Sequence, residues 1–182
     1  MVLEKTEAAI SHFSTLLGKL SALLFILLLC NVFYDVIMRY VFNDVSIGMQ
    51  ELEWHLYAAI FLLSIPYTLY QDGHVRVDII YDGLSVRKQA WINILGSLIL
   101  LLPFSVLITY YGWNFTMEAY ELGESSGDPG GLPYRWIIKA VIPFSFVAIG
   151  LAGIGLILKS VITLRSGDDL DKVKHQQGTH NL

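Results

Sequence analysis

The run Gln89–Met117, QAWINILGSLILLLPFSVLITYYGWNFTM, contains no acidic or basic side chain. A hydrocarbon core of about 30 Å is crossed by roughly 20 helical residues, so this run exceeds what one span requires. Ala140–Leu158 is uncharged as well. Together with their neighbours they define four apolar stretches, Leu20 to Tyr40, Leu52 to Tyr70, Trp91 to Tyr111 and Ile137 to Leu158, in a chain of 182 residues. A soluble domain built this way would have little polar surface to turn to water. Backbone in lipid must satisfy its own hydrogen bonds, so the spans are expected to be helices. The expected fold class is an all-α integral membrane protein with four transmembrane helices.

The first stretch is not read as a cleaved signal. Lys5 and Lys19 precede it, but the apolar run continues past Cys30 to Phe33 and Tyr34 without a small-residue cleavage site, and three similar stretches follow. Orientation follows the excess of Lys and Arg on the cytoplasmic side. With the N-terminus inside, the inner flanks carry Lys5, Lys19, Arg76, Arg87, Lys88, Lys159, Arg165, Lys172 and Lys174, and the outer flanks only Arg39, Arg135 and Lys139. Both termini are therefore expected in the cytoplasm. Trp54, Tyr57, Tyr110, Tyr111, Trp113, Tyr134 and Trp136 then mark outer headgroup levels, and Tyr67, Tyr70 and Trp91 inner ones.

Outside the spans there is little chain. Met1 to Thr15 mixes Glu4, Glu7 and His12 with apolar residues and is expected to form a short interfacial helix. Residues 1–165 make the membrane domain, and 166–182, rich in Asp and Gly, a polar cytoplasmic tail. Between spans two and three, Val77, Ile80, Tyr81 and Leu84 recur at helical spacing, predicting an amphipathic surface helix after a break at Gly73. Val75, Val77 and Ile79 also alternate as a strand would, but a lone strand beside lipid leaves its edges unpaired.

Chemistry is excluded class by class. The single cysteine, Cys30, lies in an apolar run and has no partner for thiol redox work. Only His55 sits near a span, so a bis-histidine haem site is unsupported. There is no phosphate-binding loop, nucleophile elbow or His-Glu-x-x-His motif. The chain reads as non-enzymatic, with no cofactor of its own.

Charges at membrane depth are costly unless they pair or snorkel. Asn31, Asp35 and Arg39 follow at four-residue spacing on one side of the first helix, with Asp35 in the favourable order ahead of Arg39. Two readings stand: contact with another helix or subunit, or local neutralisation. Glu51 and Glu53 open the second span on the same outer side, within expected reach of Arg39 across the turn through Asn43, Asp44 and Ser46. Ala148, Ala152 and Gly155 offer a small-residue contact face on the fourth span, and Asn93, Gly96 and Ser97 on the third. Pro66, Pro103 and Pro143 are candidate bends.

Three fragments carry a resemblance: Arg39-Tyr40-Val41-Phe42-Asn43, Gln50-Glu51-Leu52-Glu53-Trp54 and Gly73-His74-Val75-Arg76-Val77-Asp78, followed by Gly130-Gly131-Leu132-Pro133. In their order and spacing the chain resembles the small membrane subunit (DctQ-like) of tripartite ATP-independent periplasmic (TRAP) transporters, over roughly residues 15 to 160. The family often has two adjacent acids before span two, where this chain has Gln50 and Glu51. The resemblance implies a multi-pass subunit of the bacterial or archaeal inner membrane. Its partners would be a large transport subunit, an extracytoplasmic solute-binding protein and membrane lipid, with no nucleic acid. It implies a non-catalytic scaffold for sodium-coupled import of organic acids, with sodium held by the large subunit. Asn43, His74, Arg76 and Asp78 join Asp35, Arg39, Glu51 and Glu53 as structural or interface candidates. Glu118, Glu121, Glu124 and Asp128 form an acidic outer loop that either docks the solute-binding protein or serves as a solvated connector, with Gly123, Gly127, Gly130 and Gly131 letting it adapt. A different class also fits the residues: an autonomous four-helix channel or structural protein, self-associating through Ala148, Ala152 and Gly155.

Overall fold

A computed structural model describes residues 2–71, 81 and 83–179. The described chain is all helix and loop. Helix α1 runs Val2–Val41, α2 Ile47–Tyr70, α3 Val86–Gly96, α4 Leu102–Glu121 and α5 Trp136–Thr179, with a π-helical segment, Ser97–Leu101, joining α3 to α4. Of the expected amphipathic helix between spans two and three, Val77 and Ile80, together with Gly73, His74, Arg76 and Asp78, lie outside the described residues, and only its end at Tyr81 and Leu84 is described.

Three described helical segments are long and apolar enough to cross a membrane: Leu3–Val41, Val86–Glu121 and Trp136–Arg165. Helix α2 has 24 residues, about 36 Å at 1.5 Å per residue, but Glu51, Glu53 and His55 make its first turns more polar. One expectation changes at the N-terminus. Residues before the first span are no separate helix, because α1 continues without a break for 40 residues. Its early turns have packing to gain: Ile10 reaches Gly155 of α5, and the Tyr70 hydroxyl at the end of α2 donates to Glu7.

The turn after α1 follows its residues. Asn43 takes the left-handed region (φ 52), which Asn tolerates better than most side chains, and the Asp44 N–H returns to the Met38 carbonyl at 3.0 Å. Ser46 then caps α2, accepting from the Met49 N–H at 3.3 Å. In the third helical path, Pro103 has no N–H to give and its ring crowds the preceding turn. The wider π turn lies immediately ahead of it, where it relieves that crowding.

Helix α5 is the centre of the bundle. It packs on α1, α2, α3, the π segment and α4, while α1 lies mainly on α2. Ala148 and Ala152 are fully buried, Ala148 with Leu17 and Leu63, Ala152 with Leu69, Ile149 and Leu156. A Cβ on Gly155 would stand 2.8 Å from Ile10, and one on Gly112 would meet Ile142 and Pro143 at 3.3 Å. Small side chains thus bring helix axes close, the contact that substitutes for a hydrophobic driving force in lipid. Of the two uses open to this small face, packing within the bundle and contact with a partner, the structure shows the first.

The bundle is inverted relative to a soluble protein. Leu23, Ile26, Phe33, Leu100, Val106 and Val147 face outward, whereas Ser14, Ser21, Asn31, Asp35, Ser105, Thr116 and Ser145 are buried. Such a surface suits lipid or a membrane partner, and the polar interior suits helices that hydrogen-bond to themselves.

Candidate functional site

The densest polar constellation sits at the N-terminal end of α2. Ser46 starts that helix so that Glu51, just ahead of the apolar run from Leu52, points at the loop between α4 and α5. The Ser126 hydroxyl donates to Glu51 Oε1 at 2.5 Å, the Leu132 N–H to Oε2 at 2.6 Å, and Arg135 Nη2 to Oε1 at 3.1 Å. Glu51 is buried, so these donors replace water around its charge. The Ser126 hydroxyl foremost, then the Leu132 N–H, with Arg135 adding to both, hold the Glu51 carboxyl below its ordinary pKa against the opposing effect of burial.

The loop is shaped to fit this carboxylate. Ser126 N–H donates to the Leu132 carbonyl and Arg135 N–H to the Glu124 carbonyl, both at 3.0 Å, closing the loop on itself. A side chain on Gly131 would run into Ser126 and stand 2.9 Å from Glu51 Oε2, so only glycine allows the approach. Gly130 adopts φ 84, and its carbonyl lies 3.1 Å from where a Cβ on Gly48 would be. Around the rim, Arg135 lies 5.8 Å from the Trp54 ring centre, Trp54 stacks on His55 at 4.0 Å, and Lys139 pairs with Glu124 over the Phe115 ring. The loop is a cap fitted at Gly131, whereas a Cβ on Gly123, Gly127 or Gly130 would meet nothing within 4 Å.

Several sequence candidates find other places. Asp35 and Arg39 do pair, at 2.5 Å, with Asp35 buried. The expected link from Arg39 to Glu51 or Glu53 is not seen among the described residues: Arg39 pairs with Asp35 on its own helix and Glu51 turns to the loop. Instead Asn31 closes the first hairpin, its Nδ2 donating to the Met49 carbonyl at 2.9 Å. Glu53 is half-buried with no polar contact among the described residues, and Asn43 serves the turn. Of the four acids expected in the loop, Glu118 and Glu121 belong to the last turn of α4 and are exposed, Glu124 is tied to Lys139, and Asp128 is exposed in the loop itself. Ser126, Leu132 and Arg135 were missed as site residues. Their one sequence signal is Gly130-Gly131, where two glycines before Leu132-Pro133 foretell a backbone approached closely.

Among the described residues no group of three or more His, Cys, Asp or Glu side chains is placed to hold a metal ion. What the constellation does is mechanical: it locks the α1–α2 hairpin to the α4–α5 hairpin at one end.

Fold and site together describe an all-α, multi-span membrane component whose polar groups brace helices. Residues 28–163 match the family model of the DctQ component of tripartite ATP-independent periplasmic transporters, and the chain belongs to that family. All four residues of the lock, Glu51, Ser126, Leu132 and Arg135, fall inside the match. The chain is also 26% identical over 144 residues to the ectoine TRAP transporter small permease protein TeaB of Halomonas elongata, covering 75% of this chain and 72% of that protein. Its general role is that of a small subunit in TRAP transport, and small permease subunits of this family are non-catalytic. Membership implies a large membrane subunit and a solute-binding protein as partners.

Proposed function

We propose that this chain is the stationary scaffold of a sodium-coupled TRAP transporter that imports organic acids across a bacterial or archaeal inner membrane. Four spans, α2 among them, cross the bilayer with both termini in the cytoplasm, as the distribution of Lys and Arg supports. The large subunit carries substrate and sodium and undergoes the movement, and this chain steadies it. The lock at Glu51 is the observation that carries the reading. An element that must rock or open for alternating access is not tied across its two halves at a buried carboxylate with three donors.

The outer loop has a place in the same reading. Asp128 stands exposed on the cap, with Glu118 and Glu121 exposed on the last turn of α4 beside it, and acidic side chains so displayed steer a partner presenting Lys or Arg. The solute-binding protein is the partner proposed there. The autonomous channel loses its main support, since Ala148, Ala152 and Gly155 are spent within the chain.

Mild detergent extraction followed by mass measurement tests the reading. The scaffold is expected to leave the membrane bound to the large subunit. A stable homo-oligomer that conducts ions would replace it with the channel.

A further inference from the structure

Where the π segment meets Pro103, the helical path runs short of donors. The Leu102 N–H donates to the Ser97 carbonyl, one residue before Leu98, its α-helical acceptor. In a π turn the Leu98 carbonyl looks instead to the N–H five residues on, at position 103, and proline has none. Both helical donors are gone, so this carbonyl has no partner on its own helix.

Its surroundings offer no replacement. Pro103 is the middle residue of the uncharged run Gln89–Met117. Leu98 therefore lies about 8 Å from the middle of the span at 1.5 Å per residue, inside a hydrocarbon core of roughly 30 Å. The same stretch opens outward. Leu98 and Val106 are exposed, and with Leu102, Pro103 and Tyr110 they line a groove of about 670 Å³ built from this helical path alone.

We propose that the groove receives a transmembrane helix of the large subunit, which brings a hydrogen-bond donor, a Ser, Thr or Tyr hydroxyl or a Trp indole N–H, to the Leu98 carbonyl. A backbone acceptor freed by proline persists at membrane depth where a neighbouring helix satisfies it. Lipid tails fill the volume but carry no donor. A second copy of this chain fails for a different reason. Two copies paired through this face about an axis normal to the membrane bring equal depths together, so Leu98 meets only Leu98 and Leu102. The hydroxyls of the groove, on Tyr110 and Tyr111, stand about 18–20 Å further along the helix. The donor has to come from another membrane chain, and naming it the large subunit rests on the scaffold reading above.

The test uses this chain co-expressed with the large subunit and extracted with it in mild detergent. Val106→Trp fills the groove from an exposed position and is expected to cut recovery of the large subunit roughly fivefold, the factor one net hydrogen bond carries. Ile26→Trp, equally outward on α1, should leave recovery as it is. Infrared spectroscopy of a chain isotope-labelled at the Leu98 carbonyl reads the bond itself. In bilayers of this chain alone the band is expected at the frequency of a free carbonyl, and binding of the large subunit should move it lower. A band that starts at the hydrogen-bonded frequency, or that does not move on assembly, would overturn the proposal. So would undiminished recovery with Val106→Trp, or an equal loss with Ile26→Trp. The scaffold reading fails separately, when the parent chain itself leaves the membrane without the large subunit.

Discussion

The Glu51 carboxylate and the Arg135 guanidinium meet at 3.1 Å across 84 positions of chain, joining the start of α2 to the loop that leads into α5. Because Ser126 and Leu132 share the same carboxylate, removing it strands several donors at once. Glu51→Ala should lower the melting temperature more than Ser126→Ala does, and Glu51→Gln should fall between them, since the amide keeps an acceptor but loses the charge. Thermal denaturation in one detergent ranks the three. Equal melting temperatures for all would remove the lock from the account.

The lock also has a pH signature. The Glu51 pKa is depressed in the folded protein, so its contribution is fully present above the ordinary carboxylate value of about 4.3 and is lost as pH falls through the folded value. The melting-temperature gap between the parent and Glu51→Gln should therefore hold steady from pH 7 down toward pH 5 and close on further acidification. A gap that widens below pH 4 would contradict this sign.

Close packing at Gly131 makes a separate demand. Gly131→Ala forces the new methyl against Ser126 and Glu51, and overpacking of this kind costs about 1–3 kcal/mol. Gly127→Ala, with nothing within 4 Å of the added carbon, should change stability little. Comparing denaturation midpoints of the two variants separates fitted cap from adaptable tether.

How much of this was legible beforehand varied with the range of the interaction. The apolar runs and the Asp35–Arg39 pair are written in consecutive or four-spaced residues, and both appear in the structure. Glu51 was singled out for its position, but its partners lie in a loop near residue 130, and no local pattern announces a contact across that distance. Arg39 is nearer in sequence, but it pairs with Asp35 on its own helix. Likewise Ala148, Ala152 and Gly155 read equally well as an inner or outer face, because a small residue in a helix does not say which neighbour it admits. The unbroken α1 was hidden for a related reason: Glu7 and Ile10 look interfacial until Tyr70 and Gly155 are seen to receive them.

If the cap docks the solute-binding protein, its exposed acids should act on association rate. Glu121→Lys combined with Asp128→Lys should slow association most at low salt, where the Debye length is long, and less at high salt. Stopped-flow measurements at two ionic strengths check this. Unchanged rates at both would leave the cap as a brace alone.

The central claim is that this chain supports transport without performing it. Purified proteins reconstituted in liposomes under an inward sodium gradient, with the solute-binding protein and a labelled organic acid outside, test it directly. Uptake is expected only when this chain and the large subunit are present together. Robust sodium-dependent uptake by liposomes containing this chain alone would contradict the account.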